Sequence, residues 1–320
     1  MSVFSKYKKE IMDAARNERI RTALSRAITS YRKNVDHALK RFPETVDLAA
    51  EVRQIKKNAV QNLPALAAQA CEVIRENHGQ AYIAKTAAEA LDIITGLVGT
   101  DKLIVKGKSM TAEEIGLREH LEEHGNEVYE TDLGEFIIQK LGSPPMHILS
   151  PAIHVPKEDV AELFSKLTGE ELTTDIETLV AVARKLLRAK YFAADIGLSG
   201  ANVLAADTGT LFTIENERNI RLSTGAPPVN ISLVGFEKLV PTLHDAFKVA
   251  EVTWRYANYT IPSYVSLVSG PSKTGDIEKV TTYGAHGPRE FHVVLLDDGR
   301  PALAPDPTLH PALHCLRCGG

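Results

Sequence analysis

Short apolar runs of β type alternate with helical stretches from Gln80 onward, and this alternation is the feature that most restricts the fold. The runs predict strands at residues 103–105, 127–130, 148–149, 229–234, 264–268 and 291–296, and the last three are rich in Val, Leu and Ile. Helical spacing predicts helices at residues 157–167 and 176–189. Because strands separated by helices pair in parallel, we expect an α/β fold whose mostly parallel sheet carries helices on both faces.

A helical segment precedes this region. Leu48, Val52, Ile55 and Ala59 recur at helical spacing, and residues 11–78 read as helix almost throughout. The segment is rich in arginine and lysine. This basic composition indicates either a solvated helix face or a docking surface for a partner subunit, and the sequence leaves both interpretations open.

Composition argues against a nucleic-acid-binding protein and against a membrane-spanning protein. The 320 residues are 44% hydrophobic and 24% charged, with a formal net charge of -4. Since no positive excess is present to neutralise phosphates, we expect no nucleic-acid partner. We also expect no membrane span, because no apolar run approaches about 18 residues, and the first ten residues lack the apolar core of a signal peptide. We therefore expect a cytoplasmic protein.

Two glycine-containing turns are candidates for ligand binding. Residues 106–109 (KGKS) form a basic strand-to-helix turn, and Thr111 with Glu114 has the spacing of a capping box. Such a turn can hold a carboxylate or phosphate, or it can be an ordinary capped turn with two solvent lysines. Residues 197–202 (GLSGAN) follow another strand, where glycines admit close backbone approach and Ser199 and Asn202 supply polar groups. The alternative there is a tight turn without a ligand.

Asp207 precedes Thr208, Gly209 and Thr210 between two extended segments. A carboxylate at such a place can act as nucleophile or base, although a hairpin turn explains Asp and Gly more simply. The predicted anion- or substrate-binding residues are Lys106, Lys108, Ser109, Gly197, Ser199, Gly200, Asn202, Thr208, Gly209 and Thr210, with Asp207 as the candidate catalytic group.

Three cysteines are too few and too scattered for a disulfide framework. Cys71 lies in a helical stretch and is expected to be a small buried residue. Cys315 and Cys318 have the spacing that opens an iron–sulfur ligand run, C-x2-C-x2-C-x3-C. The same pair can be half of a zinc site or a redox dithiol. Two thiolates are half of a four-thiolate cluster site, so Cys315 and Cys318 form a partial ligand set.

Seven sequence blocks together resemble the lactate-utilisation protein B family, the iron–sulfur subunit of a three-protein complex linked to L-lactate oxidation in bacteria. The blocks are residues 106–116 (KGKSMTAEEIG), 130–138 (ETDLGEFII), 145–154 (PMHILSPAIH), 195–210 (DIGLSGANVLAADTGT), 234–241 (VGFEKLVP), 262–270 (PSYVSLVSG) and 312–319 (ALHCLRCG).

The resemblance implies a LUD domain, whose fold is similar to that of ribose-phosphate isomerase, glucosamine-phosphate isomerase and CoA transferases. It also implies [4Fe–4S] clusters in full-length members, held by a ferredoxin-like domain, and partner subunits of a lactate-oxidation complex. The expected division is a helical segment over residues 1–78, the LUD domain over 79–300, and a linker with the start of a truncated ferredoxin-like domain over 301–320. The family has Glu where this chain has Asp207, which puts chemistry at that position in doubt.

Three functions follow from these observations. The first is the LUD portion of an electron-transferring subunit in lactate oxidation, with an incomplete cluster site in this chain, and it is the one that we favour. The second is a stand-alone enzyme acting on a small carboxylate, a CoA ester or a sugar phosphate, which fold analogy supports only weakly. The third is a non-catalytic interaction module.

Overall fold

The computed structural model describes residues 3–147 and 150–316. The helices in these ranges are α1 (Val3–Arg16), α2 (Glu18–Arg41), α3 (Thr45–Val60), α4 (Leu63–Glu76), α5 (Ala87–Val98), α6 (Met110–Glu114), α7 (Leu117–Glu123), α8 (Leu133–Leu141), α9 (Lys157–Thr168), α10 (Ile176–Ala193), α11 (Asn219–Gly225), α12 (Leu243–Tyr256) and α13 (Arg300–Leu303). Two 3-10 turns span Phe236–Lys238 and His310–His314.

The strands are β1 (Gln80–Ala84), β2 (Leu103–Lys106), β3 (Glu127–Glu130), β4 (Ile196–Ser199), β5 (Val203–Ala205), β6 (Thr210–Glu215), β7 (Val229–Gly235), β8 (Leu239–Val240), β9 (Tyr264–Val268), β10 (Lys273–Thr274), β11 (Thr282–Tyr283) and β12 (Glu290–Leu296). Six of them form the main sheet in the order β1-β12-β7-β4-β2-β3, and every pair in it is parallel. A second sheet has the order β8-β5-β6-β9, and β10 pairs with β11.

The main sheet is buried on both faces, as its interior strand β12 shows. Phe291, Val293 and Leu295 pack into one apolar cluster with residues of α4, whereas Val294 and Leu296 pack into another with residues of α5 and α7. Alternate residues of a strand point to opposite faces, so an apolar run without alternation marks a strand covered on both sides. The predicted α/β fold with a mostly parallel, helix-covered sheet is confirmed.

The helical N-terminal segment is confirmed as four consecutive helices. Asn17 begins α2, since its side-chain Oδ1 accepts a hydrogen bond from the N–H of Ile20 at 3.2 Å. Helices α3 and α4 join the body of the protein: Val52 packs against the second sheet, and Ile74 lies in the cluster against β12. Among the described residues, no helix has the length and apolar character that crossing a membrane requires.

The close fit between the main sheet and α11 depends on Gly197 of β4. A Cβ at this position would lie 1.8 Å from the backbone oxygen of Ser223 in α11. That separation is far inside van der Waals contact, so any larger residue would have to move α11 away from the sheet. Gly197 therefore has a packing function within the fold.

The structure differs from the sequence predictions at two places. The capping-box prediction at Thr111 is wrong, because Ser109 begins α6 and its Oγ accepts from the N–H of Ala112. Residues 272–289, predicted to be a loop, include the β10–β11 hairpin. Residues 300–316 include α13 and a 3-10 turn whose Leu313 is buried. The predicted strand at 148–149 lies outside the described residues, and the three-part domain division stays a prediction.

Candidate functional site

The carboxyl ends of β2 and β4 lie side by side, because these strands are parallel neighbours in the main sheet. Segments that follow neighbouring parallel strands meet outside this edge, where α/β proteins commonly bind ligands. Lys108 and Ser109 follow β2, Gly200 and Asn202 follow β4, and all four line one cavity of about 480 Å³, called the first cavity here. The structure thus brings four of the predicted ligand-site residues together.

Ser109 and Gly200 form a close contact in the wall of the first cavity. Ser109 is buried, and a Cβ at Gly200 would lie 2.8 Å from its Oγ. Glycine is therefore needed for the two segments to approach each other. Asn202 fixes the next part of the wall, since its Oδ1 accepts a hydrogen bond from the N–H of Ile214 at 2.8 Å.

Glu215 lines the same cavity, but its carboxylate is already hydrogen-bonded to backbone N–H groups. Its two carboxylate oxygens accept hydrogen bonds from the N–H of Ile220 at 2.8 Å and of Arg221 at 2.9 Å, at the start of α11. Burial raises the pKa of Glu215, and these two hydrogen bonds oppose the rise. The carboxylate therefore holds α11 in place and is not directed at a ligand.

Aromatic side chains form another wall of the first cavity, namely Tyr31, Trp254 and Tyr256. Trp254 is the single tryptophan of the chain, and its Nε1 is buried without a hydrogen-bond partner among the described residues. Buried indole N–H groups usually have a partner. The wall therefore offers aromatic surface to a ligand, whereas Nε1 of Trp254 is closed off from the cavity.

Lys238 lines the first cavity and follows β7, the other neighbour of β4. It is buried, and Lys56 of α3 lies behind it, donating a hydrogen bond from Nζ to the backbone oxygen of Glu237. Burial lowers the pKa of Lys56 to about 8; the charge of Lys238 lowers it too, while Glu237 and Cys315 oppose the shift. Two buried ammonium groups therefore adjoin each other at one side of the cavity.

Arg300 engages the carboxylate that lies beside these lysines. Its Nε lies 2.5 Å from Oε2 of Glu237, and its Nη2 lies 2.7 Å from Oε2 of Glu114. Glu237 is buried; burial alone would raise its pKa, but Lys238 and Arg300 outweigh burial and the net shift is downward. Glu237 is therefore ionised and shared among several cations.

A second cavity of about 460 Å³ lies on the other side of the β2–α6 turn. Lys106, the last residue of β2, is 1% exposed and donates to both carboxylate oxygens of Glu130 at 2.9 Å each. Its Nζ also lies 3.9 Å from Oε2 of Glu135. These three residues and Glu113 line the second cavity and are called the carboxyl–lysine cluster.

The three carboxyl groups of the carboxyl–lysine cluster have shifted pKa values. Burial raises the pKa of Glu130 to about 8 despite Lys106, and burial together with Glu135 raises the pKa of Glu113 to about 8. Glu135 goes the other way: burial raises its pKa, but Lys106, Glu113 and Lys108 outweigh burial. The interaction between Glu113 and Glu135 thus raises the pKa of the first carboxyl and lowers that of the second.

Lys106 stays charged in this setting. Burial lowers its pKa, but Glu130 and Glu135 together outweigh burial, so the net shift is upward. Lys108 connects the two cavities, since it lines the first one and its Nζ lies 3.6 Å from Oε1 of Glu135 in the second. Groups of this kind, buried and with shifted pKa values, are concentrated at functional sites.

The remaining predicted residues lie elsewhere. Gly197 and Ser199 are inside β4, where Ser199 Oγ lies 3.0 Å from Oγ of Ser232. Asp207 is exposed in the turn between β5 and β6, and Gly209 in the same turn has a φ of +61°. None of these residues, nor Thr208 or Thr210, lines either cavity. The hairpin alternative fits this placement, and a catalytic role for Asp207 stays a prediction.

The cysteines that the structure describes do not form a complete iron–sulfur ligand set. Cys71 is buried in the apolar core around α4, and burial raises the pKa of its thiol. Cys315 is exposed, and Cys318 lies outside the described residues. Within residues 3–147 and 150–316, no group of three or more His, Cys, Asp or Glu is suited to hold a metal ion. A four-thiolate cluster needs four cysteines, and the chain has three, so the iron–sulfur assignment stays a prediction.

Sequence reasoning missed Lys56, Glu113, Glu130, Glu135 and Lys238. Glu130 ends β3 and Lys238 closely follows β7, so the rule that ligand sites lie at the carboxyl ends of parallel strands could have found both. No such signal exists for Lys56, which is one of many basic residues on predicted helices.

Comparison with known proteins identifies relatives over nearly the whole chain. The model of the LUD domain family matches residues 67–296. Lactate utilization protein B of Bacillus licheniformis is 36% identical over 318 residues, covering 98% of this chain and 65% of that protein. The protein of the same name from Bacillus subtilis is 35% identical over 319 residues, covering 98% of this chain and 64% of that protein. This chain therefore spans less than two thirds of the length of these relatives.

Among solved structures, a DUF162 family protein from Deinococcus radiodurans matches with a TM-score of 0.41 and 14% sequence identity. The match covers 73% of this chain and 98% of that one.

Proposed function

We propose a role in lactate utilisation for this chain, which belongs to the LUD domain family. The observation that carries the proposal is the alignment of 98% of the chain with two proteins named Lactate utilization protein B, at 35–36% identity. In this proposal the chain is the LUD portion of an iron–sulfur subunit that passes electrons from L-lactate oxidation to an acceptor. Its partners are the other subunits of a lactate-oxidation complex.

The position of Cys315 supports the electron-transfer part of the proposal. The 3-10 turn before this cysteine contacts α3, and Cys315 is close enough to Lys56 to influence its pKa. Leu316, the next residue, lines the first cavity. A cluster that used Cys315 as one of its thiolates, with the other ligands supplied outside the described residues, would thus adjoin the first cavity. Among the described residues, Cys315 would be one ligand and Leu316 part of the neighbouring cavity wall.

The ligand that suits the first cavity is a small carboxylate. Lys108 and Lys238 supply positive charge, the aromatic wall supplies apolar surface, and Glu215 is already engaged by the backbone. Charged donors bind carboxylates through short, strong hydrogen bonds. Cavities of a few hundred Å³ with convergent polar groups are typical of small-molecule sites.

Growth on lactate tests the proposed role. The gene is deleted in the source organism, and growth is compared on L-lactate and on pyruvate as sole carbon sources. We expect the deletion strain to lose growth on L-lactate and to keep growth on pyruvate, and the full-length gene to restore growth on L-lactate. Equal growth of both strains on L-lactate would contradict the proposal.

The carboxyl–lysine cluster favours a second candidate, an enzyme acting on a small carboxylate, a CoA ester or a sugar phosphate. Buried carboxyl groups whose pKa lies near the working pH are suited to general acid–base catalysis. To test this candidate, the purified chain is incubated with members of each class and products are followed by NMR. Turnover that disappears in a Glu135→Gln variant would favour the enzyme, and no turnover in any class would exclude it for those substrates.

A further inference from the structure

Another cavity, of about 770 Å³, lies at the opposite edge of the main sheet from the first cavity, and is called the arginine cavity here. Pro228 directly precedes β7, Arg289 directly precedes β12, and both line this cavity. Because β7 and β12 are parallel neighbours, their amino ends lie side by side. The first cavity lies instead beyond the carboxyl ends of β2 and β4, so the two cavities are separate places in the fold.

Three exposed arginines line the arginine cavity. Arg218 precedes α11, Arg221 lies in the first turn of that helix, and Arg289 joins them from the strand side. Among the residues that the structure describes, no aspartate or glutamate lines this cavity. Three guanidinium groups without a carboxylate in the same wall make the cavity strongly positive, so its ligand should be an anion.

Two carboxylates outside this wall lie near the arginines but leave donors for a ligand. Glu290 accepts a hydrogen bond from Nη2 of Arg289 at 3.1 Å, in a pair whose side chains are 70% and 46% exposed. Exposed pairs of this kind contribute little free energy, so an anionic ligand can compete with them. Glu215 is near Arg218 and Arg221, but both of its oxygens accept hydrogen bonds from backbone N–H groups. Each guanidinium group has five N–H donors, which are enough to engage a ligand as well.

Glycine residues form part of the wall beside Arg289. Gly284 has a φ of +85°, and a Cβ there would lie 2.8 Å from Cβ of Arg289. A Cβ at Gly287 would lie 3.2 Å from Cβ of Ser272. Since a larger residue would have to displace these neighbours, glycine is needed for the segment to pack closely here. Backbone without covering side chains can also approach a ligand closely, as it does in phosphate-binding loops.

Phe192, near the end of α10, adds aromatic surface to the same cavity. Its side chain is 64% exposed, and the guanidinium group of Arg188 lies 5.4 Å from the centre of its ring. Small-molecule sites commonly combine aromatic surface with a few polar groups that fix the orientation of the ligand. The arginine cavity therefore suits a ligand with an anionic part and an aromatic or apolar part.

We propose that the arginine cavity binds a small molecule that carries a diphosphate group and an aromatic body. Arg218, Arg221 and Arg289 hold the phosphate oxygens, and Phe192 contacts the body. A planar guanidinium group presents paired donors that match two phosphate oxygens. The several charges of a diphosphate also match three guanidinium groups better than the single charge of a small carboxylate does. The inference goes beyond the proposed function, since the two cavities share no lining residue.

Calorimetric titration of the full chain, in buffer without divalent cations, tests the inference. The probes are inorganic pyrophosphate, ADP and citrate, which is an anion with several charges but no phosphate. We expect saturable binding of pyrophosphate and tighter binding of ADP, whose ring reaches Phe192. Citrate should bind about tenfold more weakly than pyrophosphate, because its carboxylates match the guanidinium groups less well. Added salt should weaken the binding of pyrophosphate, since the arginines are exposed.

Single glutamine variants test the three arginines. Arg218→Gln, Arg221→Gln and Arg289→Gln should each weaken pyrophosphate binding by about tenfold, which is the usual loss for one charge-assisted hydrogen bond. Arg184→Gln is the matched control, because Arg184 is an exposed arginine of α10 that does not line the cavity. This control should bind as the unmodified chain does, and circular dichroism checks that each variant is folded.

Two further variants test the wall. Gly225 lines the cavity, and a Cβ there would meet nothing within 4 Å, so Gly225→Glu can place a carboxylate in the wall without strain. We expect this variant to lose pyrophosphate binding, because the new charge repels phosphate. Phe192→Ala should weaken the binding of ADP and leave that of pyrophosphate unchanged.

The results that would overturn the inference are specific. They are the absence of saturable binding of pyrophosphate and ADP, equal binding of pyrophosphate by the unmodified chain and the three glutamine variants, and equal binding of citrate and pyrophosphate. A polyglutamate peptide that binds where pyrophosphate does not would also overturn it, and would assign this surface to an acidic protein partner. None of these results bears on the first cavity or on the growth experiment, which test the proposed function separately.

Discussion

Lys106 offers the sharpest test of the buried electrostatics. Replacing it with methionine keeps an unbranched apolar stem, one atom shorter, and removes the ammonium group that donates two hydrogen bonds of 2.9 Å to Glu130. Because Glu130 and Glu135 are themselves buried, the variant leaves two buried carboxyl groups without the ammonium group of Lys106. Arg118, 3.7 Å from Glu130, and Lys108, 3.6 Å from Glu135, compensate in part. Breaking a buried ion pair by removing one partner costs about 3–5 kcal/mol of unfolding free energy.

The loss should depend on pH. In the unmodified protein the pKa of Glu135 is lowered, so this residue stabilises the fold above its unfolded pKa and the contribution is lost only as the pH falls. In Lys106→Met the same carboxyl loses its strongest neighbouring cation, and burial then raises its pKa. The folded variant therefore binds more protons than the unfolded chain, and its stability falls as the pH rises. We expect the loss at pH 8 to exceed the loss at pH 5.5 by at least about 1 kcal/mol.

Urea denaturation followed by far-UV circular dichroism at pH 5.5 and pH 8 measures both quantities. Lys248→Met is the matched control, because Lys248 contacts Glu51 at a similar distance of 2.8 Å but at the surface. Surface pairs contribute little, so the control should match the unmodified protein. A loss below about 1 kcal/mol in Lys106→Met at pH 8, or one that is the same at both pH values, would refute the reasoning.

Three further predictions concern stability. Gly197→Ala should abolish the soluble folded protein or lower its melting temperature sharply, because the added Cβ would lie 1.8 Å from the oxygen of Ser223, whereas Gly225→Ala, with nothing within 4 Å, should melt normally. Gly96→Ala in α5, which also meets nothing within 4 Å, should raise the unfolding free energy by about 0.5–1 kcal/mol in urea denaturation. The pKa of Lys56 is lowered to about 8 in the fold, so the folded state binds fewer protons than the unfolded chain above that pH. Unfolding free energy should therefore gain roughly 2–3 kcal/mol from Lys56 between pH 8 and 10, and Lys56→Met should lack this gain.

The sequence predicted those helices and strands whose pattern of apolar residues is contained within the element itself. Strand β3 matches the predicted residues 127–130, and α9 ends within one residue of its prediction. The capping box failed for a tertiary reason. Glu114 was expected to reach back to Thr111, but its carboxylate contacts Arg300, 186 residues away, at 2.7 Å. The residues around Glu114 do not indicate a partner that lies so far away in the sequence.

The candidate site was predictable in part, because several of its residues directly follow strands that the sequence indicates. Lys108, Ser109, Gly200 and Asn202 each follow a strand, and they met because those two strands are neighbours in the sheet. Lys106 was placed in the same site but lies in the second cavity, two residues before Lys108. The cavity that each lysine enters depends on the order of the strands and on the contact between Lys106 and Glu130. The positions of the two lysines in the sequence do not contain this information.

A crystal structure of the full chain grown or soaked with saturating L-lactate tests the central claim directly. The account predicts one lactate in the first cavity, with its carboxylate within hydrogen-bond distance of Nζ of Lys108 or Lys238 and its body against the aromatic wall. An empty first cavity at that concentration, or lactate bound only at the carboxyl–lysine cluster, would contradict it.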